Sequence, residues 1–186
     1  MPSVEMSLFL PVAGDTELLG AVLAAALPLN VGAVPNFSGV PNLGAPNPGA
    51  VLYLHGELGA GKTTCVRSLL RALGVTGLVR SPTYTLVETY ATAALTCVHV
   101  DLYRLGYESE AQDLGLRDLA APGTLLMVEW PERGGAAVPR ADVALSLSYE
   151  GHARRARLCP FTELGTVWMH NLGDDTRLAT YVSNIT

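Results

Sequence analysis

The stretch "HGELGAGKTTC", residues 55–65, puts Gly56, Gly61, Lys62 and Thr63 in the spacing GxxxxGK[ST], and Lys62 is the only lysine among the 12 Lys and Arg side chains. The glycines, with Gly59 and Ala60 between them, let main-chain N–H groups curl around a phosphate without side-chain clash. An ammonium on a flexible stem acts as a compact point charge that reaches β- and γ-phosphates, whereas a planar guanidinium needs different space. That accounts for one lysine in a chain that otherwise uses arginine. Thr63 offers a hydroxyl to Mg²⁺. A glycine-rich turn of coincidental spacing is the plainer reading, and the flanks weigh against it. The apolar run "VLYLH" (51–55) reads as a strand before the loop, and Val66, Leu69, Leu70 and Leu73 form one helical stripe after it, closed by Gly74. Such a helix starts beneath the anion and adds its positive end.

A triphosphate site also needs a carboxylate at the end of a neighbouring strand, to hold metal or orient water. Asp101, after "CVHV" (97–100), and Glu129, after "TLLMV" (124–128), are the candidates. Their roles are interchangeable at this stage, and each could instead cap its strand or pair with an arginine. "RSPTYT" (80–85) is a polar loop in which Pro82 stiffens the approach to the strand "TLVETY". Its hydroxyls could meet a γ-phosphate as switch segments do, or it is an ordinary turn. Trp130, Tyr84 and Tyr103 read as core or rim aromatics rather than base-stacking platforms.

These groups must be held by a scaffold. "SLFLPV" (7–12) reads as a strand, and residues 14–27 as a helix with an acidic first turn, capped by Asp15 or Thr16. Residues 28–50 carry Pro-Asn three times and almost no charge, which spells an insertion loop and not a domain boundary. "SEAQDLGLRDLA" (109–120) is helical. From residue 142, Val143, Leu145, Leu147 and Tyr149 alternate with small or polar residues up to a Glu150-Gly151 turn, the pattern of a hairpin. Helices interleaved with apolar strands predict an α/β fold: the three-layer sandwich of P-loop NTPases, with a mainly parallel sheet and added antiparallel strands. No internal repeat is visible, and residues 1–186 read as a single domain.

Bulk composition narrows the classes. With 49% hydrophobic and 16% charged residues the chain is not of the disordered type. Its longest apolar run, residues 18–29, is too short for a bilayer and follows Asp15, Thr16 and Glu17 instead of a basic flank. The expectation is a soluble cytoplasmic protein. Cys65, Cys97 and Cys159, odd in number and far apart, read as free thiols in a reducing compartment. A net charge of -5 disfavours gripping nucleic acid by the chain's own field, so a role there would run through a partner.

In order along the chain come "GELGAGKTTCVRSLLRALG", "SPTYTLVETY", "HVDLYRL", "DLGLRDL" and "VEWPERG". Together they resemble the TsaE (YjeE) family, small bacterial ATPases of tRNA threonylcarbamoyladenosine biosynthesis, over residues 8–158. The resemblance implies ATP and ADP as ligands with Mg²⁺ held by Thr63 and Glu129, an Asp101 essential to turnover, and phosphates wrapped by Gly59 to Thr64. It also puts Thr16 and Arg154 against nucleotide, where the residues alone suggest a helix cap and a solvated strand cation. The implied partners are TsaD and TsaB type proteins, which build the threonylcarbamoyl mark beside the anticodon; tRNA is reached only through that complex, and no membrane is involved. No arginine finger is evident near the loop, so turnover is expected to be slow alone and faster with partners. Two rival readings stand beside this one. A small-molecule P-loop kinase could use "HARRAR" (152–157) as a lid, though the hairpin alternation favours a strand face there; the other rival is a non-catalytic nucleotide-dependent binding module. The chain departs from the family in its 28–50 insertion and in its 159–186 tail, which is left unassigned.

Overall fold

The apolar runs become strands in this computed structural model, which describes residues 5–29 and 47–182. They are β1 (Met6–Leu10), β2 (Ala50–His55), β3 (Val87–Ala91), β4 (Thr96–Asp101), β5 (Thr124–Glu129), β6 (Val143–Glu150) and β7 (Ala153–Pro160). All join one 7-stranded sheet in the order β1-β7-β6-β2-β5-β4-β3. The central strands β6, β2, β5 and β4 run parallel. Antiparallel strands flank them: β3 on β4, and the β6–β7 hairpin followed by β1. The parallel strands carry apolar residues on both faces because helices cover both.

On one face lie α1 (Ala13–Ala26), α2 (Lys62–Ala72) and α5 (Glu163–Gly173). Leu19, Leu23, Val66, Leu70, Trp168 and Leu172 from these helices share a core with Leu52, Leu54, Met127 and Leu145 of the sheet. On the other face the short helices α3 (Glu108–Asp113) and α4 (Leu116–Leu119) bring Ala111 and Leu116 against Val98, Val100, Leu126 and Val128. The result is the expected α/β three-layer arrangement. No helix among the described residues is long and apolar enough to cross a membrane.

Several local expectations change. The helix expected over 109–120 divides into α3 and α4, because Gly115 adopts φ 60°, a left-handed conformation that ends one helix and opens the next. Neither Asp15 nor Thr16 caps α1. Val12 is the cap residue, and Asp15, inside the first turn, reaches back to accept the Val12 N–H at 2.8 Å. The strand expected at 85–90 starts at Val87, since Leu86 turns out of extended geometry at φ 62°. Most of the 28–50 insertion, residues 30–46, lies outside the described residues. The tail left unassigned by sequence builds α5, which Thr162 caps by accepting the Gly165 N–H at 3.0 Å. Its Trp168 is buried and donates its indole N–H to the Leu23 carbonyl at 3.0 Å. Beyond α5, Leu8 of β1 bridges Val182.

This topology positions the chemistry. β2 runs directly into the glycine loop, and its parallel neighbours end at the same edge of the sheet, where open α/β folds bind ligands. Asp101 and Glu129 are register partners, each the last residue of its strand.

Candidate functional site

The loop after β2 owes its shape to glycine at close approaches. At Gly56, φ is 136° and an added Cβ would lie 2.2 Å from the Leu147 carbonyl oxygen; at Gly61, φ is 112° and the Cβ would lie 3.0 Å from the Thr16 methyl. Any larger residue would push the loop off β6 or off α1. Gly61 is also the cap residue of α2, whose first intrahelical bond runs from the Cys65 N–H to the Gly61 carbonyl at 2.9 Å. The amides before Cys65 therefore have no partner within the helix and remain available to an anion.

A cleft of about 210 Å³ opens over this loop. Gly59, Gly61, Lys62, Thr63, Thr64, Asp101 and Glu129 line it, together with Leu58, Ser81, Thr83, Tyr103 and Trp130. Lys62 is 4% exposed; its ammonium donates to the carbonyls of Gly56 at 2.6 Å and Glu57 at 2.9 Å and lies 4.3 Å from the centre of the Trp130 ring. Burial pulls its pKa below the ordinary lysine value, against the opposing pull of Glu129, Asp101 and Glu132. A buried ammonium whose hydrogen-bond partners among the described residues are neutral carbonyls is under-solvated, and an anion in the cleft would supply what water no longer does.

The carboxylates differ in their partners. Glu129 Oε1 accepts the Thr63 hydroxyl at 2.7 Å and faces His99 Nε2 at 2.9 Å. Asp101 Oδ2 accepts the Thr83 hydroxyl at 2.9 Å, and Oδ1 accepts the Tyr103 N–H at 3.0 Å. Ser81 and Thr83 share a hydroxyl contact of 2.7 Å, so Asp101 ties the "RSPTYT" loop to the end of β4. Trp130, the residue after β5, sits at φ 57° in the left-handed region. There its ring covers Lys62 and packs on Tyr103 with centroids 5.1 Å apart. Holding a tryptophan in that conformation costs on the order of 1–3 kcal/mol, and such strain is typical of sites.

The other candidates stand beside the cleft. Gly56 contributes its carbonyl to Lys62, while Ala60 is fully buried beneath the loop. Thr16 is buried under Gly61. Arg154 donates to the carbonyls of His152 and Ala153 and lies 4.4 Å over the Tyr149 ring. Tyr149 in turn donates to the Leu58 carbonyl at 3.4 Å, so Arg154 meets the loop only through that ring. Residues 152–157 form the turn and strand β7, and β7 is paired on both sides by β6 and β1; they are no lid. Sequence reasoning missed His99 and Tyr149. The regular alternation along β4 and β6 puts them on the face covered by α1, α2 and α5, but no local motif says that they reach the loop or its carboxylate.

The donor set fits a nucleotide with its metal. Among the described residues no group of three or more His, Cys, Asp or Glu side chains could hold an ion unaided. Thr63 and Glu129 would hold Mg²⁺ only together with phosphate oxygens, which is how this ion is commonly bound.

Comparison with known proteins agrees with this architecture. The sequence model described as "Threonylcarbamoyl adenosine biosynthesis protein TsaE" matches residues 38–157. A tRNA threonylcarbamoyladenosine biosynthesis protein TsaE of Haemophilus influenzae is 43% identical over 115 residues, 62% of this chain and 73% of that protein. One of the same name from Bacillus subtilis is 36% identical over 118 residues, 63% of this chain and 72% of that one. The crystal structure of Bacillus subtilis YdiB superposes with a TM-score of 0.69 at 22% identity, covering 93% of this chain and 97% of its own, which speaks for the fold alone. With a glycine loop, paired strand-end carboxylates and these matches across most of its core, the chain belongs to the TsaE family.

Proposed function

We propose that this chain is an ATP-binding and ATP-hydrolysing accessory protein, required for forming the threonylcarbamoyl group on the adenosine next to the tRNA anticodon. It acts in the cytoplasm, as one P-loop ATPase domain spanning residues 1–186, through a complex with TsaD and TsaB type proteins. The observation that carries this reading is the buried Lys62 ammonium at the floor of the cleft, beneath glycine-shaped amides and flanked by Asp101 and Glu129. The names borne by its relatives supply the pathway.

In this reading the amides of Gly59 to Thr64 and the Lys62 ammonium bind the phosphates. Thr63 and Glu129 would hold Mg²⁺, and the ion would supply charge neutralisation at the phosphates. Asp101 keeps Ser81 and Thr83 at the cleft and orients or deprotonates the attacking water, a task consistent with its place beside Tyr103 and Thr83. No arginine lines the cleft among the described residues; Arg104 stacks on Tyr84 and Arg133 on Tyr103 at the rim. Without an arginine to join Lys62 in stabilising the charge on the transferring phosphoryl group, turnover by the isolated chain is slow, and partners accelerate it.

Equilibrium binding and single-turnover assays test this directly. Lys62→Ala should abolish measurable ATP binding. Asp101→Asn should bind ATP within a few-fold of the parent yet lose hydrolysis by about 10²-fold or more, the scale of a lost general base. Unchanged affinity in Lys62→Ala would remove the nucleotide reading altogether. Hydrolysis retained in Asp101→Asn would reassign the water-handling role to Glu129.

A further inference from the structure

His99 is a buried polar side chain that the nucleotide reading leaves without a task. It is 0% exposed, in the middle of β4, two residues before Asp101 and therefore on the same face of the strand. Its register partner on β5 is Met127, and Cys97, the preceding residue on that face, is apolar and buried. A histidine here contributes something that an apolar residue could not. Its Nε2 lies 2.9 Å from Glu129 Oε1, and its Nδ1 has no partner among the described residues. A carboxylate oxygen only accepts, so Nε2 carries the proton and the tautomer is set by Glu129. A buried ring nitrogen left unpaired carries a desolvation cost that nothing offsets. A stability-only role for the residue would favour an apolar replacement.

Oε1 of Glu129 thus receives two donors, the His99 N–H and the Thr63 hydroxyl, while Oε2 accepts no hydrogen bond from a described residue. If Thr63 turns a lone pair to a divalent ion, its proton needs an acceptor behind it, and Oε1 is that acceptor. A carboxyl group held only by Thr63 could rotate and lose this arrangement. We propose that His99 is a positioning residue: its Nε2–H locks the Glu129 carboxyl so that Oε1 keeps the Thr63 proton and Oε2 is presented to the metal of the bound nucleotide. This rests on the reading of Thr63 and Glu129 as the Mg²⁺ ligands, and it assigns a residue outside the glycine loop to metal affinity instead of to phosphate affinity.

Calorimetric titration of ATP into the full chain, once with Mg²⁺ and once with chelator, gives two dissociation constants whose ratio is the metal coupling. In the parent, Mg²⁺ should tighten ATP binding. His99→Asn, whose amide stops short of the Nε2 position, should lose about 10-fold or more of that coupling, the usual effect of removing a group that orients a metal ligand. Its chelated-ATP dissociation constant should stay at the parent value, which also reports that the site is folded. His99→Gln carries an N–H about as far from the backbone as Nε2 and should restore the coupling. Equal coupling in Asn and Gln variants, or both constants weakening by the same factor, would overturn the assignment. Absence of Mg²⁺ coupling in the parent itself would instead bring down the metal reading of Thr63 and Glu129, and this inference with it.

Discussion

Lys62 is asked to be charged in a place that disfavours charge. Burial lowers its pKa from 10.5, with the neighbouring carboxylates only partly offsetting the effect. The sign follows from which state keeps its proton. Between the lowered value and 10.5 the unfolded chain binds more protons than the folded one, so in that window Lys62 makes the ligand-free protein more stable as pH rises. On the proposed nucleotide reading, binding should respond in the opposite sense, because a triphosphate selects the ammonium. ATP affinity should be level well below the lowered pKa and fall as pH rises through it, at a pH below 10.5, as measured by equilibrium titration across an alkaline series. The glycine loop was legible from sequence at this scale because its spacing is local: four positions within eight residues state both the backbone shape and the charge. The His99–Glu129–Thr63 contacts join residues 30 and 66 positions apart and were not legible, since nothing local encodes a cross-strand pair.

At the level of elements, Lys62, Thr63, Asp101 and Glu129 stand at strand or helix ends, and those ends are held by polar links away from the cleft. Asp142 is the clearest of these. One oxygen accepts the Val51 N–H at 2.8 Å and the other accepts the Thr162 hydroxyl at 2.5 Å, joining the start of β2 to the cap of α5. Thr162→Ala should cost about 1–2 kcal/mol through loss of the helix cap. Denaturant unfolding should show a lower midpoint with unchanged slope. ATP affinity should not change, because α5 packs on α1 and β7 and contributes nothing to the cleft lining. Helices and strands with long apolar periodicity were readable in advance. The division of 109–120 at Gly115 was not, since glycine is tolerated inside a helix and only the packing of Ala111 and Leu116 against the sheet demands the bend.

Over the whole molecule, the apolar layer between the sheet and α1, α2 and α5 also buries ionisable thiols. Burial raises Cys65 to about 12 and Cys97 to about 11 from an ordinary 9.0. Raised folded values mean that the thiols' contribution to stability is complete below 9.0 and is lost as pH climbs toward the folded values, because the unfolded chain releases those protons first. Denaturant midpoints should therefore decline above pH 9.0, and a Cys65→Ala, Cys97→Ala protein should decline less steeply. The tail belongs to this same layer: Trp168 closes it over α1, and Trp168→Ala should cost about 3–5 kcal/mol. By itself the sequence determined the glycine loop, the α/β class and the pair of strand-end carboxylates, because each is written in short-range spacing and periodicity. Tertiary structure alone decided the strand order, which carboxylate oxygen meets Thr63, the burial of His99, and the packing of residues 159–182 against α1 and β1. Those depend on which distant segments lie side by side, and burial and hydrogen-bond pairing exist only once they do.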